Sequence, residues 1–250
     1  MAVVHPLACV EAGAELADDV EIGPFCLVRS GVRIDRGTRL LSHVVVLGNT
    51  TIGKHNTLHP FAVIGGEAQM RKDASVAGGR KALEIGDHNV FRENVTVSVA
   101  AGDGVTKIGA HNLFMAGSHV GHDVDFGSHG VVANGVQIAG HVVVEDWVTF
   151  GGLAAIAQRL RIGESAFLAG GAMCERDVPP FVIVQGDRAR VRALNVIGLE
   201  RRGVPAKSIA ALKVAYRSLF GSSAFPRAEA LSSVDRSDPF VLALVRFLER

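Results

Sequence analysis

One spacing dominates this chain. From Val4, every sixth residue is aliphatic through Val10, Leu16, Ile22, Val28, Ile34, Leu40, Val46, Ile52, Leu58 and Ile64. The phase breaks, resumes at Ile85, Phe91 and Val97, breaks again, and then runs from Ile108 through Phe114, Val120, Phe126, Val132, Ile138, Val144, Phe150, Ile156, Ile162 and Leu168 to Cys174. Neither the 3.6-residue period of a helix nor the alternation of an ordinary strand produces a six-residue phase. A fixed internal period is the mark of a solenoid.

The residue four places after each of these is mostly small or β-branched: Ala8, Ala14, Val20, Cys26, Val32, Thr38, Val44 and Thr50 begin the series. Two inward positions per hexad, one large and one small, describe a narrow prism. Each hexad then supplies a short strand and a corner, and three hexads close one coil. Coils stack as parallel strands about 4.8 Å apart, and each buries its apolar positions against its neighbours.

The pattern resembles that of the hexapeptide-repeat proteins over residues 1–174 or so. The resemblance implies an all-β solenoid with an added α part: a left-handed parallel β-helix followed by a C-terminal α-helical domain. The left hand comes from the resemblance, since general rules favour right-handed crossovers. Two stretches break the phase and are expected to leave the rod as loops: 66–84, polar and Gly-rich, and 98–107. The first is long for a compact domain and is the better candidate for a binding role. Pro179 and Pro180 cannot continue a strand ladder, so the rod should end near Asp177–Phe181. Beyond it, Pro205 suits a helix first turn, with Ile209, Leu212, Tyr216 and Leu219 at helical spacing. Asp238-Pro239 suits the start of a last helix carrying Val241, Leu244, Val245 and Leu248 on one face. These signals divide the chain into a β-helix over 1–190 and a helical domain over 191–250, the latter capping the open end of the rod.

Composition excludes several classes. Twenty-six basic against 25 acidic residues is not the balance of a nucleic-acid-binding protein. The mean hydropathy is positive, +0.28, yet no apolar run reaches the roughly 18 residues of a membrane span, so no stable membrane insertion is expected. Early acidic residues (Glu11, Glu15, Asp18, Asp19) argue against a signal peptide. Cys9, Cys26 and Cys174 fit neither a zinc motif nor a disulfide framework, which favours a reducing, cytoplasmic setting.

Among ten histidines, His119, His122 and His141 cluster in GSHVGHDVDFG and IAGHVVV, and none occupies an inward position. The three-hexad coil acts as a ruler. It stacks His122 beneath Gly140 and then Gln158, and Asp123 directly beneath His141. The five form one outer patch across three coils. An imidazole beside a carboxylate suits a general base near neutral pH. A glycine at position 140 lets a backbone N–H approach an oxyanion. Any one of these histidines alone reads as a solvated surface residue.

HVGHD, then IAGHV, DVPPF and IVQG, resemble the UDP-N-acetylglucosamine O-acyltransferases that begin lipid A synthesis. The tail LNVIGLERRGV and the loop start GGEAQ also resemble that family, and the likeness covers nearly the whole chain. It implies transfer of an (R)-3-hydroxyacyl group from acyl carrier protein to the sugar 3-hydroxyl, with no metal or organic cofactor, in a homotrimer whose site lies between rods. By position, it makes His122 the base, followed by Asp123, and Gly140 the oxyanion donor. His119, His141, Gln158 and, in the first loop, Gln69 and Lys72 would line the substrate cleft. Asn195, Arg201 and Arg202 would lie near the nucleotide, where arginines can pair with a diphosphate. Gly170 would lie where the family measures its acyl chain, and the small residues around it suggest room for a long one.

The chain departs from the family pattern at Met70, where a carboxylate is usual, at Ala157, where histidine is frequent, and at Ile197, where a polar residue is common. These departures leave open a related transferase acting on another, amino, nucleotide sugar. Two further readings are a zinc enzyme using His119, His122 and His141, and a purely structural rod. The first lacks the His-x4-His spacing of the metal enzymes of this fold and leaves the double arginine unexplained.

Overall fold

Each hexad forms a two-residue strand ending on its large apolar residue, and every third strand pairs in parallel. The computed structural model describes residues 1–70, 79–221 and 228–250. Its strands form three sheets, A, B and C, of 11, 9 and 8 strands. Val3 pairs with Glu21 on A, Cys9 with Leu27 on B and Glu15 with Arg33 on C, so each coil of three hexads gives one strand to each face. The fold is a left-handed parallel β-helix. In strand after strand the second residue is buried and the first faces out, as at Arg33–Ile34 and Gln137–Ile138. Phe91, Phe114, Phe126 and Phe150 fill the axis of the prism, the first two rings parallel and 4.9 Å apart.

Two-residue strands supply few ladder hydrogen bonds, so the corners carry much of the register. At most of them one residue is left-handed, and many such residues are not glycine: His55, His88, His111, Asp123, His129, His141, Trp147 and Leu153 all have φ between 54° and 63°. That conformation costs a non-glycine residue on the order of 1 kcal/mol or more. It also aims the residue's N–H at the corner one coil below. His111 N donates to Asp87 O, His129 N to Ala110 O, Trp147 N to Ser128 O and His141 N to His122 O, all at 2.9 Å. The side chains then stack. On the corner between C and A, His55, His88, His111, His129 and Trp147 form one column, with ring centres 4.1–5.0 Å apart.

Both insertions preserve this stacking. Thr57 pairs with Val90, and Thr96 with His119, so vertical neighbours there stand 33 and 23 positions apart in the chain rather than 18. Register across the enlarged coils is held by a ladder of buried side chains. Asn56 N donates to Thr38 Oγ1, Asn89 N to Asn56 Oδ1, Asn112 N to Asn89 Oδ1, and Gly130 N to Asn112 Oδ1. Each Asn amide group donates back to a corner carbonyl, at Gly86, Gly109 or Gly127. The excursions are shorter than the phase breaks suggest. Strand Val63–Gly66 retains Gly66, and strand Ala82–Ile85 begins three residues before the phase resumes. Likewise Thr96–Ser98 and Val105–Ile108 reduce the second insertion to residues 99–104.

The rod also runs further than the prolines imply. Val178 bridges to Ile162, and Val182–Gln185 pairs in parallel with Phe167–Leu168 before turning back into an antiparallel strand, Arg190–Leu194. Pro179 and Pro180 sit on a corner, where no ladder N–H is required. This last coil is two residues short, Phe167 pairing with Ile183. Four helices follow: α1 (Val196–Arg201), α2 (Ala206–Leu219), α3 (Ala228–Leu231) and α4 (Pro239–Leu248). Pro205 precedes α2, and Asp238 caps α4 by accepting from the Phe240 and Val241 amides. Phe240 packs edge-on against Phe181, joining α4 to the end of the rod. No helix among the described residues is long and apolar enough to cross a membrane.

The three faces differ. Sheet C turns charge outward, with Arg33 on Glu15 and Arg161 on Glu145, and sheet A does so in its early coils, with Arg39 on Glu21. Sheets A and B turn out Leu113, Val131, Phe167 and Ile183, and Leu27, Val45, Val63 and Met173.

Replacing Asn89 with Ala strands the Asn112 N–H and the Gly109 carbonyl inside the prism. Asn89→Ala is expected to cost about 3–5 kcal/mol, read as a lower urea midpoint at fixed protein concentration. The exposed Asn49→Ala should stay within about 0.5 kcal/mol.

Candidate active site

The corner between sheets B and C brings the outward histidines together. His122 is the residue before the left-handed position, and Asp123 occupies it, at φ 58°. The His122 ring turns back so that Nδ1 lies 2.8 Å from Asp123 Oδ2. One coil up, His141 is again left-handed and packs edge-on against His122, ring centres 5.0 Å apart. Its Nε2 is 3.9 Å from the same Asp123 oxygen. A single carboxylate therefore faces two imidazoles.

Gly140 lies directly above His122. A Cβ there would sit 2.6 Å from His122 Nε2 and Cε1, so the ring occupies the space a side chain would need. Gly140 is buried and lines the cleft, and its N–H donates no backbone hydrogen bond among the described residues. The cleft, about 280 Å³, is lined by Gln69, Ser98, His119, His122, Gly140 and Gln158 among others. Gln69 reaches it from the start of the first insertion.

Electrostatics tune the three groups. Burial pushes the Asp123 carboxyl up, but the hydrogen bonds from His122 and the Ala101 amide, with the nearby His141, outweigh it and hold the group below its usual range. Burial lowers His119, helped by His122. Burial also lowers His141, with Arg159 and His122 adding to it against the pull of Asp123. His119 and His141 thus favour the neutral form, in which an imidazole both donates and accepts.

His122, Asp123 and His141 are the one His/Cys/Asp/Glu group among the described residues whose donor atoms converge, all within 4.8 Å. The shared Asp123 Oδ2 already takes hydrogen bonds from His122 and from Ala101 N. His119 is not part of that group; its Nδ1 lies 2.8 Å from Thr96 Oγ1.

The remaining candidates lie elsewhere. Asn195, Arg201 and Arg202 line a larger cavity, about 560 Å³, over sheet A and the corner between C and A, with His129, Trp147 and Phe167. Asn195 caps α1, its Oδ1 accepting from Gly198 N while its Nδ2 donates to Ser165 O. Arg202 is paired with Glu164, donates to Ser165 Oγ at 2.6 Å and lies over Trp147 and Phe240. Arg201, in the last turn of α1, is exposed at the cavity. Gly170 is exposed on the corner between A and B, where a Cβ would meet only the Gly152 carbonyl, at 3.5 Å. Lys72 lies outside the described residues.

Within one chain, then, the histidine cleft and the arginine cavity open on different corners. They share the same height. His122 and His129 belong to one coil, His141 and Trp147 to the next, and Gln158 and Ser165 to a third. Residue identity in the sequence did not single out Thr96, Ser98, Ala101 or Thr106. Their part in the site comes from the two enlarged coils, whose register is invisible without the pairing.

Residues 177–250 match a family model described as "Udp N-acetylglucosamine O-acyltransferase; Domain 2". A curated relative from Stenotrophomonas maltophilia (strain R551-3), an acyl-[acyl-carrier-protein]–UDP-N-acetylglucosamine O-acyltransferase, is 43% identical over 98% of this chain and 94% of its own. The solved structure of LpxA from Acinetobacter baumannii superposes with a TM-score of 0.91 at 35% identity, covering 99% of this chain and 96% of that one. LpxA from Bacteroides fragilis 9343, a UDP-N-acetylglucosamine acyltransferase, gives 0.92 at 30% identity, over 99% and 97%.

Because burial lowers His119, the unfolded chain takes up a proton at pH values where the folded chain does not. Stability is complete above the ordinary imidazole range, around 6.5, and falls as pH drops through it. The urea midpoint should decline from about pH 7.5 to 5.5, and His119→Gln should shallow that slope.

Proposed function

The chain belongs to the acyl-[acyl-carrier-protein]–UDP-N-acetylglucosamine O-acyltransferase family, and from that premise we propose how its own residues carry out acyl transfer. The reaction moves an (R)-3-hydroxyacyl group from acyl carrier protein to the 3-hydroxyl of UDP-N-acetylglucosamine, the first step of lipid A biosynthesis. The observation that carries the mechanism is the His122–Asp123 pair beneath Gly140, in a cleft with an unpaired backbone N–H.

Asp123 accepts from Nδ1–H of His122 and so fixes the tautomer that leaves Nε2 as base. As the sugar 3-oxygen attacks the thioester carbonyl carbon, Nε2 takes its proton. The carbonyl oxygen becomes an oxyanion, met by the Gly140 N–H. When the C–S bond breaks, the carrier's sulfur leaves with the proton returned by the imidazolium. Neutral His141 and His119, with Gln69 and Gln158, orient the sugar. Gly170 leaves the upper part of the B face open for the acyl chain.

Among the described residues that line the histidine cleft there is no lysine or arginine for a diphosphate, and the exposed Arg201 lies around the prism at the same height. Rotation about an axis parallel to the rod preserves height. It brings the arginine cavity of one copy against the histidine cleft of another, through the apolar outer residues of sheets A and B. That is the support for a homotrimer, with Asn195 and Arg202 holding α1 so that Arg201 points across the interface. Lys72 remains a further candidate for the sugar nucleotide. Three free thiols fit a reducing cytoplasm, which we assign as the working compartment.

His122→Ala should abolish transfer from acyl carrier protein to UDP-N-acetylglucosamine while the trimer persists; near wild-type turnover defeats the assignment. Arg201→Ala should raise KM for the nucleotide sugar more than for the acyl donor. Trimers reassembled from equal amounts of these two chains should recover about a quarter of the sites, because an interface can take its histidine from one chain and its arginine from the other. Recovery of none would overturn the shared site.

A further inference from the structure

The second insertion, 98–107 in the sequence and 99–104 between strands in the structure, reads in the sequence as a surface loop, and the mechanism above assigns it nothing. In the structure it is hydrogen-bonded to Asp123. Ala101 N donates to Asp123 Oδ2 at 3.0 Å, the same oxygen that meets His122. Immediately after the loop, the buried Thr106 accepts the Asp123 N–H on its Oγ1 at 2.8 Å. Gly104 approaches from the other side: a Cβ there would lie 2.6 Å from Asp123 Oδ1. One carboxylate oxygen and the backbone amide of Asp123 thus take hydrogen-bond partners from the insertion and its exit strand, and the other oxygen fills the space a side chain at position 104 would need.

The loop is itself braced. Val99 N donates to Gly66 O and Ala100 N to Ala82 O, in the coil below. On its outer side, Lys81 N donates to Gly102 O at 2.8 Å, and Arg80 N to Asp103 Oδ1 at 3.1 Å. Val99 and Ala100 are buried. A backbone N–H one coil below also donates to an aspartate at Ser128 N and Asp146 Oδ1, across a coil of plain length; at Asp123 the donor comes from the insertion.

We propose that the second insertion is a positioning element for the His122–Asp123 pair, with Ala101, Gly104 and Thr106 as its positioning residues. The inference rests on reading His122 as the general base. The insertion holds the carboxylate in the plane where it accepts Nδ1–H of His122 and keeps Nε2 free. An unheld Asp123 swings toward solvent or His141, and the imidazole then samples both tautomers, only one of which presents a base.

The test uses the full chain with three substitutions. In Gly104→Ala the new methyl displaces the end of a side chain rather than backbone, so the fold should survive while the carboxylate moves. Thr106→Val removes the acceptor through a different atom, and Thr106→Ser retains it. Each is assayed for kcat and for KM toward UDP-N-acetylglucosamine, and its ring-labelled histidines are read by nitrogen-15 NMR against His122→Ala for assignment. Gly104→Ala and Thr106→Val should lower kcat about ten- to a hundredfold with KM changed less than about twofold. Their His122 spectrum should shift from one tautomer to a mixture, and Thr106→Ser should match wild type in both readouts. A folded Gly104→Ala or Thr106→Val chain that keeps the wild-type His122 spectrum overturns the proposal. An altered spectrum with unchanged kcat upholds the positioning role and overturns the general-base reading instead.

Discussion

The left-handed corner residue, with its N–H aimed at the carbonyl one coil below, is the interaction on which this molecule depends. Strands of two residues cannot fix a register by themselves. A residue such as His141 gives up conformational ease at φ 61° and gains a hydrogen bond to His122 O, a vertical neighbour for its side chain, and a turn tight enough to keep the prism narrow. Stacked rings at 4.1–5.0 Å along the column from His55 to Trp147 stabilise it further. Inside, the Thr38–Asn56–Asn89–Asn112 ladder does the same work where the insertions would otherwise let the coils slip.

The same constraint builds the chemistry. Because successive corners superpose, a residue is brought against whatever stands one coil away, however distant the two are along the chain. Asp123 faces His141 for that reason, and His122 has room only because position 140 carries no side chain. The His122–Asp123 pair is therefore an outgrowth of the corner geometry rather than an addition to it. A substitution that relaxed the left-handed turn at Asp123 would move the carboxylate before it touched the core.

Much of this was legible in the sequence. The six-residue phase reports the fold because burial alternates with exposure inside each two-residue strand, and the three-hexad ruler reports vertical neighbours because coils are of equal length. What escaped the reading is what equal length does not govern. The histidine column could not be assembled from positions 55, 88, 111 and 129 without knowing how far the two insertions enlarge their coils, to offsets of 33 and 23. The prolines at 179 and 180 stop a ladder only if they fall within one, and here they fall on a corner. Asn195 and Arg202 carry the right chemistry for a phosphate, yet one caps α1 and the other pairs with Glu164, contacts set by a helix whose start the sequence did not mark. The role of Ala101 lies in a backbone N–H, which no residue type announces.

A filled prism is convex, and that decides where a site can form. Its interior is taken by Phe91, Phe114, Phe126 and Phe150, so no substrate enters the core. Concavity has to come from chain that leaves the repeat, or from a second copy. The first insertion carries Gln69 over the histidine corner, and α1 carries Arg201 over another corner at the same height. In the proposed assembly, proton transfer belongs to one chain and phosphate recognition to its neighbour, and water is excluded only when both are present. An outward histidine on a solvated rod is a weak catalyst by itself, because its donors and acceptors compete with bulk water. The apolar outer residues of sheets A and B follow from the same requirement: in the proposed assembly these two faces pack against neighbouring copies and so enclose the cleft, whereas the outer face of sheet C stays in solvent and carries its ion pairs.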